Sequence, residues 1–158
     1  MEQSAATEAL QLSNQELKRA DHSIAVSLKY TRTVDVIRSI IERLINTVGF
    51  ALDALLAQAK ERGKIDTIPQ ILRLKVEEIK KLYAHDKFIL DFCDFYLLLR
   101  RIHKARFERS QEYRRHVTMT AHLEEGQGVE ITIDIISDYF ERTKEFLTYV
   151  NRQLHAPE

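Results

Sequence analysis

Residues 33–56 read TVDVIRSIIERLINTVGFALDALL, and this stretch decides the fold. Val34, Ile37, Ile41, Leu44, Val48, Ala51 and Leu55 recur in steps of three and four, a spacing that stacks them along one side of an α-helix. Ile40, Ile45, Leu52 and Leu56 widen the stripe beyond a two-stranded seam, so this helix is predicted to pack against several neighbours in a bundle. Thr33 can cap its start with a hydroxyl, and Gly63 after Arg62 reads as its C-cap.

Before it, Ser13-Asn-Gln-Glu16 has the capping-box form, and Leu17, Ala20, Ile24 and Leu28 then recur at helical spacing. A first helix over 13–30 is expected, with residues 1–12 either a flexible extension or a continuation of it. After it, Pro69 suits a first helical turn, and Leu72, Val76, Ile79 and Tyr83 mark the buried side of a third helix. A break is expected near His85-Asp86. A fourth helix over 87–107 is apolar almost all round between Phe88 and Leu99, as suits a central bundle member or an oligomer interface.

The period then changes. Val117, Met119 and Ala121 alternate with polar residues, as do Val129, Ile131 and Ile133 beyond the Glu124-Glu-Gly-Gln-Gly connection, which reads as a β-hairpin. Asp134 can cap a last helix with Ile136, Phe140, Thr143, Leu147, Val150 and Leu154 inside. The expected fold is mainly α, a four-to-five-helix bundle with a small β-hairpin before the last helix, forming one domain over 13–158.

The bulk properties agree. The chain has 158 residues, with only four Gly and two Pro, a scarcity that favours a few long helices. Lys plus Arg and Asp plus Glu number 24 each, so no overall field draws the molecule to nucleic acid or anionic lipid. Cys93 stands alone, which excludes an internal disulfide or a Cys-based zinc site and suits a cytoplasmic protein. The longest apolar run is interrupted by Asp91 and Asp94 and is too short to span a bilayer, so no membrane contact is expected.

The second helix, read as Ile40-Ile-Glu42-Arg-Leu-Ile-Asn46-Thr-Val-Gly-Phe-Ala51-Leu-Asp53-Ala54-Leu55-Leu56, resembles the corresponding helix of HEPN-type bundles, above all small archaeal proteins of that group. Ala20-Asp21-His22 adds to the resemblance, as do Phe107 to Ser110 and Arg115-His-Val-Thr-Met119 followed by a hairpin and a helix. The resemblance implies a compact bundle, frequent homodimerisation, and roles from RNA-cleaving toxins to partners of nucleotidyltransferases. Its catalytic branch uses an Arg followed a few residues later by a His. Here Arg109 with His116, or Arg115 with His122, meets that spacing. His would move the proton of a ribose 2′-hydroxyl and Arg would stabilise the developing phosphorane charge, without metal.

Other candidates come from the residues themselves. Arg100, Arg101, Lys104, Arg106, Arg109, Arg114 and Arg115 form the one marked basic segment. With Phe107 and Tyr113 as stacking faces it is a candidate RNA-binding patch. Pairing with Glu124, Glu125, Glu130, Asp134 and Asp138 is the competing expectation. Glu42, Asn46, Gly49 and Asp53 form a polar strip on the second helix, faced by Asp21 and His22, for a ligand or a dimer contact. None of the six His has Glu three residues before it, which excludes a ferritin-like di-metal centre, and no cofactor or metal is expected. The expected function is a noncatalytic homodimeric module acting through RNA or protein contacts, the alternatives being a metal-independent endoribonuclease and a small-ligand regulator.

Overall fold

The computed structural model describes residues 4–157; the first three residues of the expected N-terminal extension, Glu158 and the side chain of Glu125 lie outside the described set. Helix α1 (Ala5–His22) is capped by Ser4, whose hydroxyl accepts the Thr7 N–H at 3.1 Å. Residues 5–12 therefore continue the first helix. Ser13 caps nothing. It is fully buried in the middle of α1 and donates to the Thr47 carbonyl at 2.6 Å, while Glu16, one turn on, meets Arg43 at 3.2 Å. The Ser-x-x-Glu spacing that suggested a capping box instead puts both side chains on the face turned to the next helix.

Beyond α1 the backbone passes through a π-helical segment, Ser23–Ser27, in which the Leu28 N–H reaches back to the Ser23 carbonyl. A last turn, Leu28–Tyr30, completes it. Helix α2 (Val34–Glu61) is the central element. Thr33 caps it, accepting the Val36 N–H at 3.3 Å. At its end Gly63 takes φ +74, and Lys64 N–H reaches the Ala59 carbonyl at 2.9 Å, a Schellman closure that a side chain would strain. All eleven apolar residues of the 33–56 stripe are buried, nine of them fully.

Helix α3 (Leu72–Leu82) starts later than Pro69 suggested, and buries Val76 and Ile79. Asp86 breaks the chain as expected and caps α4 (Lys87–Lys104), taking the Ile89 N–H on one oxygen and the Tyr149 hydroxyl on the other. Much of the wide apolar circumference of α4 is absorbed within the chain, with Phe88, Leu90, Leu97 and Leu98 left partly exposed. Phe92 stacks on Phe146 with centroids 4.1 Å apart and 6° between planes, and Phe95 meets Tyr139 edge-on.

The fourth helix ends at Lys104, short of Phe107, and the expected hairpin has a third strand. The antiparallel order is β1 (Arg106–Ser110), β2 (Thr118–His122), β3 (Gly128–Ile131), with Phe107 opposite Ala121 and Ala121 opposite Val129. Met119, Ala121 and Ile131 share the inner face and are fully buried. Each fully buried aliphatic side chain contributes about 1.5–3 kcal/mol, which fixes which face turns in. Helix α5 (Ile133–His155) is capped by Thr132, which accepts the Ile135 N–H at 3.1 Å; Asp134, the expected cap, lies in its first turn. Among the described residues no helix is long and apolar enough to cross a membrane.

Candidate nucleic-acid interface

The basic segment does not form one patch. Arg100, Arg101 and Lys104 sit on the last turns of α4, Arg106 and Arg109 on β1, and Arg114 and Arg115 in the β1–β2 loop. Four residue steps of β1 span roughly 14 Å, which separates the α4 end from the loop end. On the outer sheet face Arg106 shares its surface with Glu108, Thr120, His122 and Glu130, a mixed charge pattern. Arg100 lies over the Tyr96 ring.

Arg109 is built into the fold. Its guanidinium meets Asp35 at 2.8 Å and Glu112 at 3.6 Å, and among the described residues it is the only one of the seven in an ion pair. Those partners correct the expected set: no ion pair joins the seven to Glu124, Glu130, Asp134 or Asp138, and the side chain of Glu125 lies outside the described set. Phe107 has the Arg38 and Arg109 guanidinium carbons 4.6 and 5.2 Å from its ring centre and is half-buried, so its ring is already engaged.

The candidate Arg and His pairs are also redistributed. His122 is engaged by Glu108 at 3.2 Å across the strands. His116 stands instead beside Arg115, its chain neighbour, and Arg32, from the turn before α2. The three share a recess of about 310 Å³ with Thr132, Ile133 and Asp134 at the start of α5. Burial holds the half-buried His103 below the usual histidine range, with the charges of Arg38 and Arg100 adding to this and Glu42 opposing.

Only the second half of the polar strip on α2, Gly49 and Asp53, meets the chain's own helices, while Glu42 is exposed. Asp53 pairs with Lys75 of α3 at 3.0 Å, and a Cβ at Gly49 would lie 3.3 Å from the Tyr96 hydroxyl. A side chain, not a second backbone, uses the gap. Asp21 and His22 are exposed, and no hydrogen bond or ion pair joins them to Glu42 or Asn46 among the described residues. At the far end of the bundle an open recess of about 530 Å³ lies between the start of α1 and the ends of α2 and α5, lined by Thr7, Gln58 and Glu61 among others.

The residues that sequence reasoning missed are Lys29, Tyr30 and Arg32. The β1–β2 loop docks on the turn that carries them: Tyr113 N–H donates to the Arg32 carbonyl at 2.6 Å, and the Glu112 carboxylate accepts the Val34 N–H at 3.1 Å. Tyr113 takes φ +65 and Gln111 φ +56, left-handed conformations that bulky residues seldom adopt. Tyr30 and Tyr113 are 77% and 78% exposed, the two most exposed large hydrophobic side chains among the described residues. Lys29, Arg114, Arg115 and His116 are exposed around them, and Arg32 is half-buried. The Arg32 Nε is buried without a hydrogen-bond acceptor among the described residues. One end of the molecule thus combines two open aromatic faces with four Lys or Arg side chains. Its acids are Glu112 and Asp35, both paired with Arg109, and Asp134.

Compared with protein-family models, curated proteins and solved structures, the chain has no significant match.

Proposed function

We propose that the protein is a noncatalytic, HEPN-like, homodimeric cytoplasmic module that binds single-stranded RNA at the end where residues 29–32 meet the β1–β2 loop. The observation that carries this reading is the pairing of two almost fully exposed tyrosines on segments tied by the Tyr113 to Arg32 backbone bond, with Lys29, Arg32, Arg114 and Arg115 around them. Exposed rings contribute little to folding but offer a face to any base, and Lys and Arg track a phosphate backbone without demanding sequence. The balanced total charge is no obstacle, because the acids near this end are fewer than the bases.

The test is titration of a labelled single-stranded RNA at low salt. The wild-type protein binds, affinity falls steeply with added salt, and Tyr30→Ala with Tyr113→Ala lowers it at least about ten-fold, since each base stack contributes about 1–3 kcal/mol. Both rings are exposed, so the helical circular dichroism of the double variant is unchanged. Absence of RNA binding by the wild-type protein removes the reading. The homodimer is supported by exposed Ile71 and Leu74 near the start of α3 and by the partly exposed Leu90, Leu97 and Leu98 of α4. Sedimentation equilibrium showing monomer alone at micromolar concentration removes that part.

A second reading, the metal-independent endoribonuclease, rests on Arg115 and His116 sharing one recess with Arg32. Arg109 and His122 do not favour it, being held by Asp35 and Glu108. Incubation with RNA in EDTA separates the two readings: the noncatalytic module leaves RNA intact, whereas cleavage abolished by His116→Ala or His122→Ala establishes the enzyme.

A further inference from the structure

We infer that the recess beside the tyrosines is a subsite for a phosphate monoester, the terminal phosphate of the bound RNA strand, so that the module reads strand ends. This rests on the RNA-binding reading above and adds a specificity to it.

The recess, about 310 Å³, is lined by Arg32, Arg115 and His116 and by Thr132, Ile133 and Asp134. That volume lies at the small end of ligand sites and suits a phosphate with its sugar, whereas a continuous strand needs an open groove. Two guanidinium forks border it, and each presents paired N–H donors in the geometry of phosphate oxygens. A diester inside a strand offers two free oxygens and one charge. A terminal phosphate offers three oxygens and close to two charges at neutral pH, the better complement to two arginines.

Arg32 is half-buried and its Nε is closed to solvent, so the outer nitrogens of its guanidinium are the ones a phosphate in the recess can meet. Asp134 in the same lining narrows the ligand further. Its carboxylate repels a bare inorganic anion but accepts a hydrogen bond from a ribose hydroxyl, so a phosphate that carries its sugar is favoured. Tyr30 and Tyr113 each stand two residues from one of the two arginines, so the following bases meet rings just outside the recess.

The experiment compares one short RNA made with a 5′-phosphate, with a 3′-phosphate, or with hydroxyls at both ends. One phosphorylated form is expected to bind about ten-fold more tightly than the hydroxyl form, the scale of a charge-assisted hydrogen bond, and which form does so identifies the end that enters. The advantage disappears in Arg32→Gln and Arg115→Gln and persists in Arg101→Gln, at the other end of β1. Arg115 is exposed and in no ion pair among the described residues, so its variant folds even if Arg32→Gln does not. Equal affinity for all three RNAs overturns the inference and leaves the RNA reading standing. If no RNA binds, the RNA reading falls, and adenosine 5′-monophosphate decides the subsite alone. Thermal stabilisation by it that is lost in Arg115→Gln supports the subsite, and no stabilisation overturns it.

Discussion

Arg109 and Asp35, 74 residues apart in the chain, meet at 2.8 Å, so the outer strand of the sheet is tied to the first turn of α2. The Arg109 hydrogen bond, opposed by desolvation and aided by the charges of Arg109 and Arg38, holds the Asp35 carboxyl below its usual range. A group whose folded pKa is depressed stabilises the fold above its unfolded pKa and loses that contribution as pH falls through the folded one. Asp35→Asn is therefore expected to melt slightly below the wild type at roughly pH 7 and together with it by about pH 2. Melting curves across that range check this, and a gap that persists in acid defeats it.

The alkaline limb runs the other way. Burial pushes the Cys93 thiol up to about 11, and burial likewise raises Tyr83, Tyr96 and Tyr139. The unfolded chain gives up these protons first, so stability declines as pH rises above the ordinary thiol value of 9.0. Urea midpoints are expected to fall from pH 9 upward, less steeply in Cys93→Ala, and a thiol reagent at neutral pH should label Cys93 only on unfolding.

Phe146 is fully buried and stacked on Phe92. Phe146→Ala is expected to cost about 3–5 kcal/mol in urea denaturation, because the ring cannot be replaced by relaxation of its neighbours. Ser13→Ala, which deletes one buried donor to α2, is expected to cost about 1 kcal/mol. If Ser13 loses nothing and Ser4→Ala loses as much, the contact between α1 and α2 at that point is not supportive.

At Gly49 two terms oppose. Alanine gains up to about 1 kcal/mol of helix propensity, while its Cβ would press on the Tyr96 hydroxyl at 3.3 Å, the movable far end of a side chain. Gly49→Ala is expected to be near neutral. Gly49→Leu overpacks the α2–α4 interface, with a loss of about 1–3 kcal/mol. Equal melting temperatures for the two variants contradict the close approach.

The helices were legible because burial is periodic: the Val34 to Leu56 stripe names its own inner face. Strand β1 was not, because only Phe107 in Arg106-Phe-Glu-Arg-Ser110 is apolar, and its cover, the Arg38 guanidinium, comes from a distant helix. Capping was legible at Thr33, while Asp86 read only as a break; it was misleading at Ser13, where the same residue types serve an interhelical contact, and at Asp134, two residues past the true cap Thr132. The candidate interface was half legible. Arg114, Arg115 and Tyr113 announce themselves by composition, but Lys29, Tyr30 and Arg32 join them only through a backbone bond across more than 80 positions of sequence.

The π-helical segment Ser23–Ser27 acts as a phase shifter. A widened turn takes up one residue more than an α-turn allows, and each residue turns the helix by about 100°. With that extra residue Leu28 falls into the core, 2% exposed, while Tyr30 projects at 77%. Removing one residue from the segment would restore α phase and swing the turn that carries Leu28 and Tyr30 by a quarter turn or more. The direction in which Tyr30 and Arg32 point is thus written upstream of them, in a counting step that no contact at the interface itself records.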